Sequence, residues 1–266
     1  MILEIPSPPI DSFGPIRIYS LTMGLAMLAG VYISYIRYRK KYGDPKVIMD
    51  MFFITLIAGI IGARVYHLFT GYDWKSEGFK NVFNFRMGGL SIWGAVLAGA
   101  LALFIQCKIK KISFLQVGDV VVPGLLVAQA IGRLGNYFNQ ELFGRELHSF
   151  WALKVDLDYR PFGLENVPTF HPTFLYEMVL NLFLAIVIII AEKKYVNIRK
   201  GFSVALYISG YCFVRIFMEL LRVDKATKIF NIRFNLLVSI ILCLLGLTWM
   251  MYLIFSSKVK RVGPPK

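Results

Sequence analysis

Long apolar runs alternate with short, strongly basic connections along the whole chain. Seven runs, roughly 17–36, 50–70, 89–106, 119–138, 172–191, 202–220 and 235–255, have the length of about 20 residues that a helix needs to cross a hydrocarbon layer. They predict transmembrane helices, because a backbone in lipid must satisfy its own hydrogen bonds and a helix does so within one segment. The longest connection, about 140–171, carries Trp151, Lys154, Asp156, Asp158, Tyr159, Arg160 and Pro161, a mixture that predicts a small ordered cap. The expected architecture is all-α, a single polytopic membrane domain over residues 1–266 with no repeat, low-complexity segment or soluble domain. The tail 263–266 is expected to be disordered.

Composition agrees. Apolar residues make up 57% of the chain, the mean hydropathy is +0.60, and a soluble domain of this length shows more polar surface. Cys107, Cys212 and Cys243 each lie within or at the edge of an apolar run without CxxC spacing. They read as small apolar fillers of a helix bundle, not as a disulfide framework or zinc site. No His/Asp/Glu cluster has ligand spacing either, so no metal and no cofactor are expected.

The formal net charge of +14 raises nucleic-acid binding, but its placement argues against that class. Basic residues gather at the ends of apolar runs, the signature of membrane topology. On one side stand Arg37, Arg39, Lys40, Lys41 and Lys46, then Lys108, Lys110 and Lys111, then Lys193, Lys194, Arg199 and Lys200, then Lys258, Lys260, Arg261 and Lys266, sixteen in all. The other side has Arg17, then Lys75, Lys80 and Arg86, then Arg145, Lys154 and Arg160, then Arg222, Lys225, Lys228 and Arg233, eleven in all. The positive-inside rule places the N-terminus outside, the C-terminus in the cytoplasm and the cap outside. The first span has its positive cluster after the apolar run and no small-residue cleavage site, so it is expected to be retained instead of removed as a signal peptide.

Three basic residues fall outside this scheme, at apolar depth: Arg64, Arg133 and Arg215. Each is unfavourable by about 2.5–3.5 kcal/mol near a bilayer centre, and intramembrane charge marks function by default. Arg215, Glu219 and Arg222 share one helix face by their spacing. Arg133, Asn136 and Gln140 do so if the fourth helix continues past 138, with Glu141 and Arg145 just beyond. Gly132, Gly135 and Gly144 permit close packing of helices or close approach of a ligand to backbone. Arginine forks and asparagine amides near the outer leaflet suit the phosphate of a lipid headgroup, which a planar guanidinium binds bidentately.

The segment Gly132-Arg133-Leu134-Gly135-Asn136-Tyr137-Phe138-Asn139-Gln140-Glu141-Leu142-Phe143-Gly144-Arg145 resembles the signature of the prolipoprotein diacylglyceryl transferase family. Further stretches resemble the same family in the same order. They are Arg17-Ile18-Tyr19-Ser20, Gly62-Ala63-Arg64, Gly88-Gly89-Leu90-Ser91, His171-Pro172-Thr173-Phe174-Leu175-Tyr176-Glu177, and Arg215 with Glu219 and Arg222. The resemblance implies a multi-pass bacterial inner-membrane enzyme whose substrates are phosphatidylglycerol and prolipoproteins bearing a lipobox cysteine. Membrane lipid is then the partner class, and nucleic acid is not. The implied reaction moves the diacylglyceryl group onto the cysteine thiol as a thioether and releases glycerol phosphate.

Carried over residue by residue, the resemblance assigns Arg133 to the phosphatidylglycerol headgroup and makes Arg215 and Glu219 functionally important. With them the expected phosphatidylglycerol site comprises Arg64, Asn136, Asn139, Glu141 and Gly144, and the expected catalytic set adds Tyr19 and His171. One departure stands out. Many family members have a histidine a few residues after the Gly88-Gly89-Leu90-Ser91 stretch, and here that position is Trp93, which accepts no proton and reads as an aromatic wall. A cationic pocket raises the thiolate fraction of a thiol with pKa about 8.5 without a dedicated base. The base candidates are otherwise His171, Glu219, Tyr19 and His67, with Glu219 handicapped by the arginine beside it.

Rival classes explain less. An anion transporter predicts paired or inverted repeats and broken helices in both halves, which seven spans without internal similarity do not offer. A membrane scaffold leaves the arginines and amides without a use. A metal-dependent phosphatidyl transferase requires an aspartate cluster within the spans, and the sequence has none.

Overall fold

The structure, a computed structural model, describes residues 4–70, 91–195, 199–224, 226–229 and 231–259. Among them, seven helices are long and apolar enough to cross a membrane. They are α1 (Ile18–Tyr42), α2 (Lys46–Thr70), α3 (Ile92–Ile109), α4 (Phe114–Phe138), α5 (Thr173–Lys194), α6 (Phe202–Leu221) and α7 (Phe234–Val259). The chain is therefore an all-helical, multi-pass membrane protein. Short antiparallel pairs decorate the connections: β1 (Ser12–Phe13) with β2 (Ile16–Arg17), β3 (Leu153–Lys154) with β4 (Thr169–Phe170), and β5 (Lys228–Ile229) with β6 (Ile232–Arg233). Lys75, Lys80, Arg86, Lys225, the Gly88-Gly89-Leu90 stretch and the 263–266 tail lie outside the described residues.

Helix limits differ from the apolar runs in an instructive way. Hydropathy measures the lipid-facing length, whereas a helix continues until its backbone is stopped. Thus α1 extends through Arg37, Arg39, Lys40 and Lys41 to Tyr42, since long cationic side chains reach back to the interface. It stops at Gly43, whose φ of 96° and N–H bonded to the Arg39 carbonyl at 3.2 Å form a left-handed helix end. Likewise α2 begins at Lys46, where Asp44 accepts the Lys46 amide at 3.0 Å. α4 begins at Phe114, after Ser113 accepts the Gln116 amide at 3.4 Å.

The chain forms two compact units, residues 35–117 and residues 1–34 with 118–266. In the first, α2 packs on α3 at a crossing of two glycines: a Cβ on Gly62 would lie 2.6 Å from the Gly94 carbonyl oxygen. Such close backbone approach substitutes for the hydrophobic drive that lipid does not supply. The Gln106 amide donates to the Met51 carbonyl at 3.4 Å and Thr55 Oγ1 at 3.2 Å, and Lys110 pairs with Asp50 at 3.1 Å near the helix ends.

In the second unit, α6 packs against both α5 and α7, and α1 meets α4 at Gly30 and Gly124. Val122 and Leu126 of α4 and Leu184, Ala185 and Ile188 of α5 form a buried apolar plug, flanked by Tyr207 and Tyr211 of α6. The start of α6 is capped from a distance. Asp119 of α4 accepts the amides of Gly201 at 2.6 Å and Val204 at 3.1 Å, a carboxylate at the positive end of a helix dipole. Outward faces remain apolar and open, as at Leu25, Phe183 and Leu244, which is the surface a bilayer covers.

A cap ties the opposite ends of the helices together through main-chain bonds. The Gly144 amide donates to the His171 carbonyl, the Arg145 amide to the Leu221 carbonyl and the His171 amide to the Arg145 carbonyl, each at 2.9 Å. The end of α4, the start of α5 and the end of α6 are thereby held in register. Beneath lie Phe143, Leu153, Val155, Phe170 and Phe174, and Ile5 joins through a bridge to Leu153.

The α1–α4 crossing generates a prediction. A Cβ at Gly124 would meet the Gly30 carbonyl and come within 2.8 Å of Ser34 Oγ, and overpacking of this kind costs roughly 1–3 kcal/mol. Gly124→Val is expected to lower the melting temperature of detergent-purified protein by several degrees, measured by tryptophan fluorescence. An unchanged melting temperature contradicts the crossing.

Candidate functional site

Three helices each present one stripe to a common seam. On α4 it runs Val122, Leu126, Gln129, Arg133, Asn136; on α5, Ile188, Leu184, Asn181, Glu177; on α6, Tyr207, Tyr211, Arg215, Glu219. These are the i, i+3 and i+4 positions that share a helix face. At the cap end the stripes converge on Glu177, which is buried at 3% exposure. It pairs with Arg133 from α4 and with Arg215 from α6 at 3.2 Å.

Arg215 reaches Glu219 one turn on at 2.5 Å, as its spacing predicts. Glu219 has a fully buried side chain and also pairs with Arg233 at 2.6 Å and, at 4.0 Å, with Arg222. Arg222 and Arg233 share Asp224, at 2.6 Å and 3.2 Å. Burial opposes ionisation of Asp224, but hydrogen bonds from Arg222 and Arg233 and their charges hold its carboxyl below the ordinary range. Arg233 arrives on the β5–β6 hairpin, whose Asn231 has a φ of 64°. Four guanidiniums thus face three carboxylates in one continuous network, so that every guanidinium has a carboxylate partner, as a low-dielectric interior requires, with one positive charge in excess.

The signature segment extends this network. Arg133 donates to Asn136 Oδ1 at 3.1 Å, and the Asn136 and Asn139 amides both donate to Glu141 Oε1, at 2.8 Å and 3.3 Å. Tyr19 of α1 lies over Gly135, where a Cβ would fall 2.7 Å from its ring, and it lies within electrostatic reach of Glu141 and Arg133. Tyr19, Arg133, Asn136, Asn139, Glu141, Arg215 and Glu219 therefore belong to one neighbourhood.

Other residues have different places. α4 stops at Phe138, so Gln140 does not continue the Arg133–Asn136 face; with φ of 48° it turns to the cap. There it bonds the Asp156 carboxylate at 2.7 Å and the Asp156 amide at 2.8 Å, the first being the main reason that the Asp156 carboxyl sits below its ordinary pKa. Gly144 packs on backbone, since a Cβ would lie 2.7 Å from that of His171 and 3.2 Å from the Leu221 carbonyl oxygen. Arg64 (buried) and His67 lie on α2, and Trp93 (half-buried) lies in the first turn of α3, all in the 35–117 unit.

His171 sits at the mouth of α5. Its Nδ1 lies 3.1 Å from the Tyr176 hydroxyl, which accepts the Trp151 indole N–H at 3.0 Å. Burial, seconded by Arg145, lowers its pKa below the usual histidine value, so the ring is neutral at pH 7. The Tyr176 hydroxyl thus links the indole and the imidazole, fixing the orientation of the histidine ring.

Glu177, Asp224 and Arg233 are not among the residues the sequence singles out as functional. The signal for Glu177 is an acidic residue within a span, the same rule that exposes the arginines. Arg233 reads in sequence as one more connection charge, and only the hairpin turns it onto Glu219.

Seven apolar helices with a buried arginine–carboxylate network at one end define a multi-pass membrane protein built around concentrated charge. The family model described as prolipoprotein diacylglyceryl transferase matches residues 9–252. The chain is 39% identical over 259 residues to the phosphatidylglycerol–prolipoprotein diacylglyceryl transferase of Corynebacterium diphtheriae, with 91% of each chain covered. It is 41% identical over 242 residues to that of Cutibacterium acnes, covering 88% of this chain and 81% of the relative. For Bifidobacterium adolescentis the values are 38% over 260 residues, 91% and 77%. The chain belongs to the prolipoprotein diacylglyceryl transferase family.

Removing one partner of a buried pair leaves uncompensated charge and costs about 3–5 kcal/mol. Glu177→Ala is accordingly expected to destabilise the protein strongly in thermal unfolding, because it strands Arg133 and leaves Arg215 only Glu219. The double variant Glu177→Met with Arg133→Met should unfold at a higher temperature than Glu177→Ala alone. The reverse order of melting temperatures would show that Glu177 does not hold the pair together.

Proposed function

We propose that this chain transfers the diacylglyceryl group of phosphatidylglycerol to the lipobox cysteine of prolipoproteins, at the extracytoplasmic face of the bacterial inner membrane. The observation that carries this reading is the pair Arg133 and Arg215, converging on one buried carboxylate from two helices in a member of this family. Each guanidinium has five donors, and the carboxylate and amide bonds made here leave several for a phosphate.

The reaction balances without a cofactor. The thiolate sulfur forms a bond to the glycerol carbon bearing the phosphate, and the C–O bond to that phosphate breaks with its electron pair on oxygen. The thiol proton ends on the departing glycerol phosphate or in solvent. A phosphodiester carries one negative charge and the departing monoester develops nearly a second, so arginines aimed at those oxygens stabilise the transition state more than the ground state. We assign this role to Arg133 and Arg215. Asn136, Asn139, Glu141 and Tyr19 line the headgroup site around them, and Gly144 sets the backbone approach beside it. Glu219, pinned by Arg215 and Arg233, positions the arginines. His171 is neutral, its Nδ1 beside the Tyr176 hydroxyl, and we assign activation of the thiol to the cationic field of the arginines.

The deciding experiment incubates purified protein with phosphatidylglycerol and a lipobox peptide and follows peptide mass. A gain of one diacylglyceryl unit on the cysteine is expected, abolished by Arg133→Ala and reduced to a small fraction by Arg133→Lys, which keeps charge but loses the fork. His171→Ala should lose less than about 100-fold, the lower range for removing a true general base. No mass gain with wild-type protein overturns the reading, and full turnover by folded Arg133→Ala overturns the assignment.

Orientation rests on the basic asymmetry of the connections. A reporter after Lys266 should report cytoplasm and one before Met1 the opposite side; the reversed result would put the arginine network at the wrong face.

A further inference from the structure

One helical turn below the guanidiniums, the same seam carries a layer that is polar but uncharged. Asn181 lies four residues from Glu177 on the α5 stripe, is completely buried, and has no hydrogen-bond partner for either amide atom. Gln129 lies four residues from Arg133 on the α4 stripe. Its amide nitrogen donates to the Tyr207 hydroxyl at 2.9 Å, while its buried Oε1 has no partner. Below come Leu126 and Leu184 of the apolar plug, and Leu184 packs on Gly210 of α6. With Arg133, Glu177 and Arg215 above and this plug beneath, Gln129 and Asn181 form the floor of the charged site.

Burying an amide without partners is unfavourable, more so than leucine in the same place. The pattern of orphaned atoms defines the guest: two acceptors, Gln129 Oε1 and Asn181 Oδ1, and one donor, Asn181 Nδ2. An ester carbonyl or phosphate oxygen satisfies the donor alone, and an ammonium has no acceptor for Nδ2. A hydroxyl group donates and accepts at once. We infer that Gln129 and Asn181 read the free hydroxyls of the glycerol headgroup, making them specificity-determining residues of the lipid site. This rests on the phosphatidylglycerol reading above and extends it from the phosphate to the group that phosphate carries. A site built to hydrogen-bond a substrate hydroxyl rejects the analogue lacking it far more strongly than an apolar pocket rejects a change of one methylene.

The test compares phosphatidylglycerol with phosphatidylpropanol, which keeps the phosphodiester and chain length but lacks both headgroup hydroxyls. Full-length protein in detergent is offered the two lipids in competition, and bound species are counted by native mass spectrometry. Wild type should prefer phosphatidylglycerol by at least about tenfold, and Asn181→Leu should bring the ratio near unity while lipid is still bound. Gln129→Leu, which keeps the bulk and removes one acceptor, should fall between them and serves if the first variant does not fold. An unchanged ratio in the variants, or no preference in wild type, overturns the inference and leaves water as the occupant of the floor. Equal loss of both lipids also overturns it, because the residues would then shape the site without reading hydroxyls. Failure of wild type to bind either lipid would instead count against the phosphatidylglycerol reading itself.

Discussion

Everything at the cap end of this protein depends on a carboxylate that cannot be exposed and cannot be left alone. Glu177 enters the bundle on the first turns of α5, and its burial is tolerable only because Arg133 and Arg215 meet it there from two other helices. Arg133 depends on it in turn, since a guanidinium at apolar depth needs an anion or a water-filled cavity, while Arg215 divides itself between Glu177 and Glu219. The interaction therefore acts as a three-way constraint on helix register. A shift of α5 by one residue would rotate Glu177 away by about 100°, leaving Glu177 and Arg133 uncompensated and Arg215 with Glu219 alone.

The cap is the mechanical counterpart of that constraint. Gly144, Arg145, His171 and Leu221 join by main-chain bonds, so the ends of α4, α5 and α6 are aligned before any side chain contributes. The side chains then grade the seam by polarity with depth, from ionised groups at the mouth through neutral amides to a closed apolar plug. Such an arrangement keeps charge where water and headgroups reach and seals the remainder of the bundle against leakage.

What was legible in the sequence follows from how local each signal is. Spans are legible because apolar length is a property of a contiguous stretch, and the Arg215–Glu219 pair because four residues make one helical turn. Helix ends were less so, since α1 and α2 run on through charged residues that hydropathy discards. Gln140 shows the sharpest limit: extending the α4 face past Phe138 projects it beside Arg133, whereas one positive φ sends it to Asp156. Arg233 and Glu219 are joined by a hairpin in the connection after α6, and no periodicity within either helix announces that pairing. The Asn181 amide is as hidden, because its isolation is a property of its neighbours.

Asp119 carries a consequence for how the chain is assembled. It supplies the acceptors for the first turn of α6 from a helix that emerges from the ribosome far earlier. The leading amides of α6 have no partner within their own segment, and α4 supplies it. The bond thus ties the start of the sixth span to the start of the fourth, across 82 and 85 residues of chain.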